Sequence, residues 1–151
     1  MTTRSFRGLI ANGGIDTISL HTNTGSTGYT IKKMSLINKN AGDVDYSAVV
    51  KIYSIPQTTA DNDIDFSDNT LLAVGYISTD ASSTQSPEDI VIIFDNVKFN
   101  QDIYLTCKET GASGGDSCNY YLELEQVKLA LDENTVATLK DIRNITQPAV
   151  E

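Results

Sequence analysis

Across 151 residues the chain has no tryptophan, one histidine, two cysteines and three prolines. Each shortage removes a class of chemistry. His21, Cys107 and Cys118 are too few and too widely spaced for a zinc site. No G-x-S-x-G elbow accompanies His21, which reads as a loop histidine at the end of a strand. Gly111, Gly114 and Gly115 join two predicted strands, whereas a phosphate-cradling loop needs a helix after it. No apolar run approaches the ~20 residues of a membrane span, and no charged-then-apolar leader precedes a cleavage site. The expectation is a soluble protein with no catalytic residues, no cofactor, no metal and no membrane contact.

Basic residues are also scarce. Eleven Lys and Arg face twenty Asp and Glu, a formal net charge of −9. A nucleic-acid partner is therefore excluded from the reading, because it calls for a basic face that displaces counterions. The charge is unevenly spread. Residues 1–51 carry six basic and three acidic side chains, and residues 52–151 carry five and seventeen. An acidic body with a basic start suggests that the start touches something else.

What the chain has in quantity is short apolar stretches between turn residues, the pattern of an all-β sandwich or barrel. Strands are expected at residues 15–21, 29–38, 46–55, 70–78, 90–94, 102–108 and 119–129. The connections are rich in Gly, Ser, Thr, Asn and Asp, which tolerate positive φ or bond their own backbone. Ile103, Leu105 and Cys107 alternate with Tyr104, Thr106 and Lys108, as in a strand with one wet face. Leu122 and Leu124 alternate with Glu123 and Glu125; Val127 and Leu129 have the other parity, which a β-bulge near Gln126 would explain. The continuously apolar 90–94 reads as a central strand covered on both faces. In 46–55, Ala48, Val50 and Ile52 share one face, and Val49, Tyr53 and Ile55 the other. An apolar outward face there calls for a covering segment or a partner subunit.

Three units follow. Residues 1–14 form an extended N-terminal arm with Arg4 and Arg7, no acid, and Phe6, Leu9 and Ile10 as apolar contacts. Residues 15–131 form an antiparallel β-sandwich. Residues 132–151 form a C-terminal helix and tail, with Asp132 as N-cap and Val136, Leu139 and Ile142 on one face of 133–143. The partner-binding candidates are Arg4, Phe6 and Arg7 on the arm, and Val49 and Tyr53 on the outward strand face.

Two further groups of residues could carry chemistry. The run Asp61-Asn62-Asp63-Ile64-Asp65 starts like a calcium loop, but Phe66 stands where glycine is needed and Leu72 where a bidentate glutamate belongs. It reads as a solvated acidic loop, with loose cation binding as the alternative. Cys107 and Cys118 flank 110–117 symmetrically, which would set them opposite one another on paired strands. Two buried thiols are favoured over a disulfide, which needs an oxidising compartment.

The segments GYTIKKMSLINKNAGDVDYSAVVKIYSI, IIFDNVKFNQDIYLTCKETGASGG and NYYLELEQVKLALDENTVATLKDIRN carry a resemblance over residues 8–144. The chain resembles small virion structural proteins of marine tailed bacteriophages, which pair a jelly-roll-like sandwich with an N-terminal extension. That resemblance implies a non-enzymatic capsid decoration or cement protein, or a tail or neck component. It implies assembly in the host cytoplasm, and a place in the virion beside the major capsid protein or tail proteins. Open sheet edges add a homo-oligomer, with a trimer as one form. A carbohydrate-binding sandwich that stacks sugars on tyrosines is the alternative outside this class.

Overall fold

The computed structural model describes residues 2–20, 27–40, 46–78, 88–94, 97–110 and 117–129. Among them lie eight strands and no helix: β1 (Thr2–Ile10), β2 (Ile15–Ile18), β3 (Thr27–Asn38), β4 (Ser47–Tyr53), β5 (Leu71–Ser78), β6 (Glu88–Ile93), β7 (Ile103–Glu109) and β8 (Cys118–Lys128). They form two antiparallel sheets, ordered β1-β8-β3 and β2-β7-β4-β5-β6. The helix expected over 133–143 lies outside the described residues.

Strict alternation builds the interior. Leu122 and Leu124 of β8 point inward between Glu123 and Glu125, and Met34 and Leu36 of β3 do the same. From the other sheet come Ala48, Val50 and Ile52 of β4 and Ile103, Leu105 and Cys107 of β7, all fully buried. One cluster joins both sets, so the sheets share a single core in a sandwich-like arrangement. Burying each large aliphatic side chain contributes about 1.5–3 kcal/mol. At Gly75 of β5 the sheets pack closely: a Cβ there would lie 2.6 Å from Leu36 Cδ1.

Residues 2–10, expected as a free arm, are instead an edge strand paired with β8 from Thr2↔Gln126 to Ile10↔Cys118. Its inward side is short of apolar residues, which hid it in the sequence. Gly8 helps to seat it, because the Tyr120 ring lies where a Gly8 Cβ would be, with Tyr120 Cζ at 2.8 Å. After β1 the chain steps to the other sheet through Asn12, Gly13 and Gly14. The Asn12 carboxamide oxygen accepts from Glu109 N at 2.8 Å, Gly13 N donates to Cys107 O at 2.7 Å, and Cys107 N donates to Gly14 O at 3.2 Å. Gly13 sits at φ 78°, where a side chain is strained, although a Cβ would meet nothing within 4 Å. Gly13→Ala is therefore expected to cost about 1 kcal/mol from the backbone alone, read as a lower urea midpoint at unchanged slope.

Three other expectations change. β6 lies at the sheet edge, so the apolar run over 90–94 is covered on one side only: Val91 and Ile93 face the core, while Ile90 and Ile92 are 51% and 37% exposed. The irregularity expected at Gln126 lies across the ladder, where Lys32 of β3 is the extra residue between Ile31↔Leu124 and Lys33↔Glu123. Cys107 and Cys118 sit in different sheets, not on paired strands.

Candidate interaction surface

The five candidate residues fall in three places. Arg4 and Phe6 share the core-facing side of β1: the Arg4 guanidinium lies 5.3 Å from the Phe6 ring centre and donates to Tyr29 Oη at 3.2 Å. Arg7 has the opposite parity and projects from the outer face. Val49 is buried, so it is no exposed partner contact. Tyr53, on the same outward side of β4, is half-buried.

That outward side is covered by the chain's own connection between β4 and β5. Lys51, 3% exposed, donates from Nζ to Asp61 Oδ1 and to Asp63 O, both at 2.6 Å. The Tyr53 ring centre lies 5.6 Å from the same ammonium. Burial works against the charge on Lys51, but the Asp61 hydrogen bond and Tyr53 outweigh it and hold its pKa above the ordinary value. Its hydrogen bond from Lys51 holds the Asp61 carboxyl below the usual range. Of the covering segment or partner subunit that the apolar face called for, the structure supplies the segment.

The other carboxylates of this loop are spent locally. Asp65 accepts from the Ser67 backbone N at 2.9 Å and from its hydroxyl, which lowers its pKa. Asp68 accepts from Thr70 N at 2.9 Å and Thr70 Oγ1 at 2.6 Å. These are the self-bonding turns that aspartate favours. No group of three or more His, Cys, Asp or Glu among the described residues is arranged to hold a metal ion. His21 lies outside the described residues.

The two thiols are buried and form no disulfide. Burial first, then the neighbouring Cys118 and Glu109, push Cys107 up to about 12; burial also raises Cys118. Between them sits Tyr46, fully buried, its hydroxyl pushed far up by burial and then by both thiols. Since the thiolate is the nucleophile, neither cysteine should react with a disulfide reagent at pH 8 in the folded protein. Two thiols per chain are expected to react once denaturant is added, and fast labelling of the native protein would contradict this packing.

An open hollow of about 450 Å³ lies on the outer face of the three-stranded sheet. The register sets its lining in two rows, Arg7–Tyr121–Ser35 and Leu9–Asn119–Ile37, across β1, β8 and β3. Leu9 is 47% and Ile37 59% exposed. The Tyr121 hydroxyl donates to Glu123 Oε2 at 2.9 Å, and Lys33 Nζ lies 5.9 Å from the Tyr121 ring centre. Among the described residues Arg7 makes no ion pair. The sequence held signals for this surface: Arg7 and Leu9 were contact candidates on the arm, and Ile37 is apolar but has the parity opposite to Met34 and Leu36. What it did not show is that they share one face, because β1 was not read as a strand.

An all-β protein of two antiparallel sheets sharing one core is the class this architecture defines. No family model matches the chain, and no match was found among curated proteins or solved structures.

Proposed function

We propose that the chain is a non-enzymatic structural protein of a tailed bacteriophage virion, a decoration or cement subunit that binds the assembled capsid. The observation that carries this reading is apolar side chains displayed on both outer faces. Leu9 and Ile37 stand on one, and Ile64, Phe66, Ile90 and Ile92 on or beside the other. Contiguous exposed apolar surface marks interaction sites. The pattern resemblance over residues 8–144 supplies the particle. A jelly-roll architecture is supported by the strand pairs β1–β8, β2–β7 and β4–β5, three of the four nested pairs of a rolled eight-strand hairpin. The fourth would join β3 to β6; here β6 pairs with β5 and lies against β3.

The mechanism is mass action. A protein that binds the closed shell and not its dissociated parts stabilises the shell in proportion to RT ln(1 + [L]/Kd). Major capsid protein is then the partner, the virion the location, and host cytoplasm the place of assembly. Electron cryomicroscopy of particles carrying the protein should show density of this size at capsomer junctions. Density only on the tail or neck moves the protein to that part of the virion, and density nowhere on the particle overturns the reading.

One observation favours a carbohydrate-binding role instead: Tyr121 lies in the hollow beside Arg7, Asn119 and Ser35, an aromatic plane with polar neighbours. A glycan array with and without a chelator tests it, and loss of binding in Tyr121→Ala would locate it.

A further inference from the structure

The outer faces of the two sheets differ in chemistry. The hollow over β1, β8 and β3 is apolar with a basic element: Leu9 and Ile37 are exposed, Arg7 makes no ion pair among the described residues, and Lys33 lies over the Tyr121 ring, whose hydroxyl is bonded to Glu123. On the opposite face of the molecule, the connection between β4 and β5 lies over Lys51, and residues 61–67 are all exposed. That loop is apolar and acidic. Ile64 is 44% and Phe66 55% exposed, and the Phe66 ring is held edge-on to Phe94 at 5.3 Å. Asp61 is tied to Lys51 of β4, and Asp65 and Asp68 to Ser67 and Thr70 of the same connection. The Asp63 carboxylate makes no hydrogen bond or ion pair among the described residues.

We propose that the hollow receives the 61–68 loop of a second copy of this chain, with Phe66 and Ile64 against Leu9, Ile37 and Tyr121, and Asp63 against Arg7. Charge complementarity selects this occupant. The hollow's cations come from the basic first third of the chain, and the loop comes from the remainder, where acids outnumber bases seventeen to five. An aromatic anchor in a hollow, ringed by opposite charges, is the usual anatomy of an interface hot spot. The two surfaces are unlike and lie on opposite faces of one molecule, so the contact is head-to-tail. Such contacts propagate from copy to copy; they do not close as a symmetric dimer. The patch is small, which places the affinity in the weak range, on the order of 100 μM. This extends the proposed assembly role to contacts between copies, and it does not require a capsid.

Sedimentation of the full-length protein alone tests it. The wild type should gain mass with concentration without levelling at a dimer. Arg7→Glu spoils the hollow and Phe66→Ser spoils the loop, so each alone should sediment as a monomer. Mixed in equal amounts they should form a one-to-one dimer that grows no further, because each retains the surface the other has lost. Ile37→Glu and Ile64→Ser serve as a second pair should losing the Phe94 contact loosen the loop, and circular dichroism checks the fold of each variant. A wild type that stays monomeric, a plateau at a dimer, variants that associate like the wild type, or a mixture that stays monomeric each overturns the proposal. Binding of the same proteins to capsids is scored separately, so the failure of one reading is distinguishable from that of the other.

Discussion

Replacing Gly75 with valine should lower the unfolding free energy by about 3 kcal/mol, at the upper end of what forced overpacking costs. β5 and β3 belong to different sheets, which pack closely at Gly75. A Cβ would stand 2.6 Å from Leu36 Cδ1 and 3.2 Å from Met34 Cε. Met34 and Leu36 are themselves buried in the shared core, so neither can swing into water. Leu36→Ala alone should cost about 2–5 kcal/mol by opening a cavity. Combined, the two changes should cost less than the sum of the singles by about 1–3 kcal/mol, since the valine fills space that the leucine has vacated. Urea unfolding of the four proteins reads the coupling directly. Strict additivity would mean that the sheets do not meet at this point.

Much of this architecture was legible in the sequence, for a reason visible in β7 and β8. In both, side chains of alternating polarity repeat with period two, which fixes strand and face. The face of β7 expected to be wet is nevertheless covered: Thr106 is 1% exposed and Tyr104 and Lys108 are half-buried, because β7 lies inside its sheet between β2 and β4. β1 escaped because Thr2, Arg4 and Gly8 occupy inward positions; Tyr120 of β8 fills the space at Gly8, and Arg4 bonds Tyr29 of β3. β6 misled in the opposite sense. A run of consecutive apolar residues looks the same whether two sides are covered or one, and only the sheet order decides. Val49 misled for a related reason: its outward parity was readable, but its burial to 3% exposure was not. The hollow was less legible still. Arg7, Tyr121 and Ser35 are brought side by side by cross-strand register, which depends on pairing between strands far apart in the chain.

The second large effect concerns Lys51 and Asp61, and its sense is asymmetric. Lys51 is 3% exposed, whereas the Asp61 side chain is 57% exposed. Removing the aspartate leaves a buried ammonium with only the Asp63 carbonyl and the Tyr53 ring, a costly state. Removing the lysine leaves a carboxylate that water can solvate. Breaking a fully buried pair costs about 3–5 kcal/mol, and the exposure of Asp61 lets water relieve part of that. Asp61→Ala should therefore cost about 2 kcal/mol, and Lys51→Met, which keeps the apolar stem, about 1 kcal/mol or less. The pH dependence follows from the directions of the two shifts. Asp61 titrates below its ordinary 3.8, so its contribution is complete above that pH and fades as pH falls through its lowered folded value. Lys51 titrates above its ordinary 10.5, so its contribution is complete below that pH and fades as pH rises past its raised folded value. The pair's stabilisation is thus flat between about pH 4 and pH 10 and is lost at both ends. Chemical unfolding across this range should show the acid-side loss reduced in Asp61→Asn and the alkaline-side loss reduced in Lys51→Met. An Asp61→Ala cost no greater than that of Lys51→Met would mean that the ammonium is not buried beneath the loop.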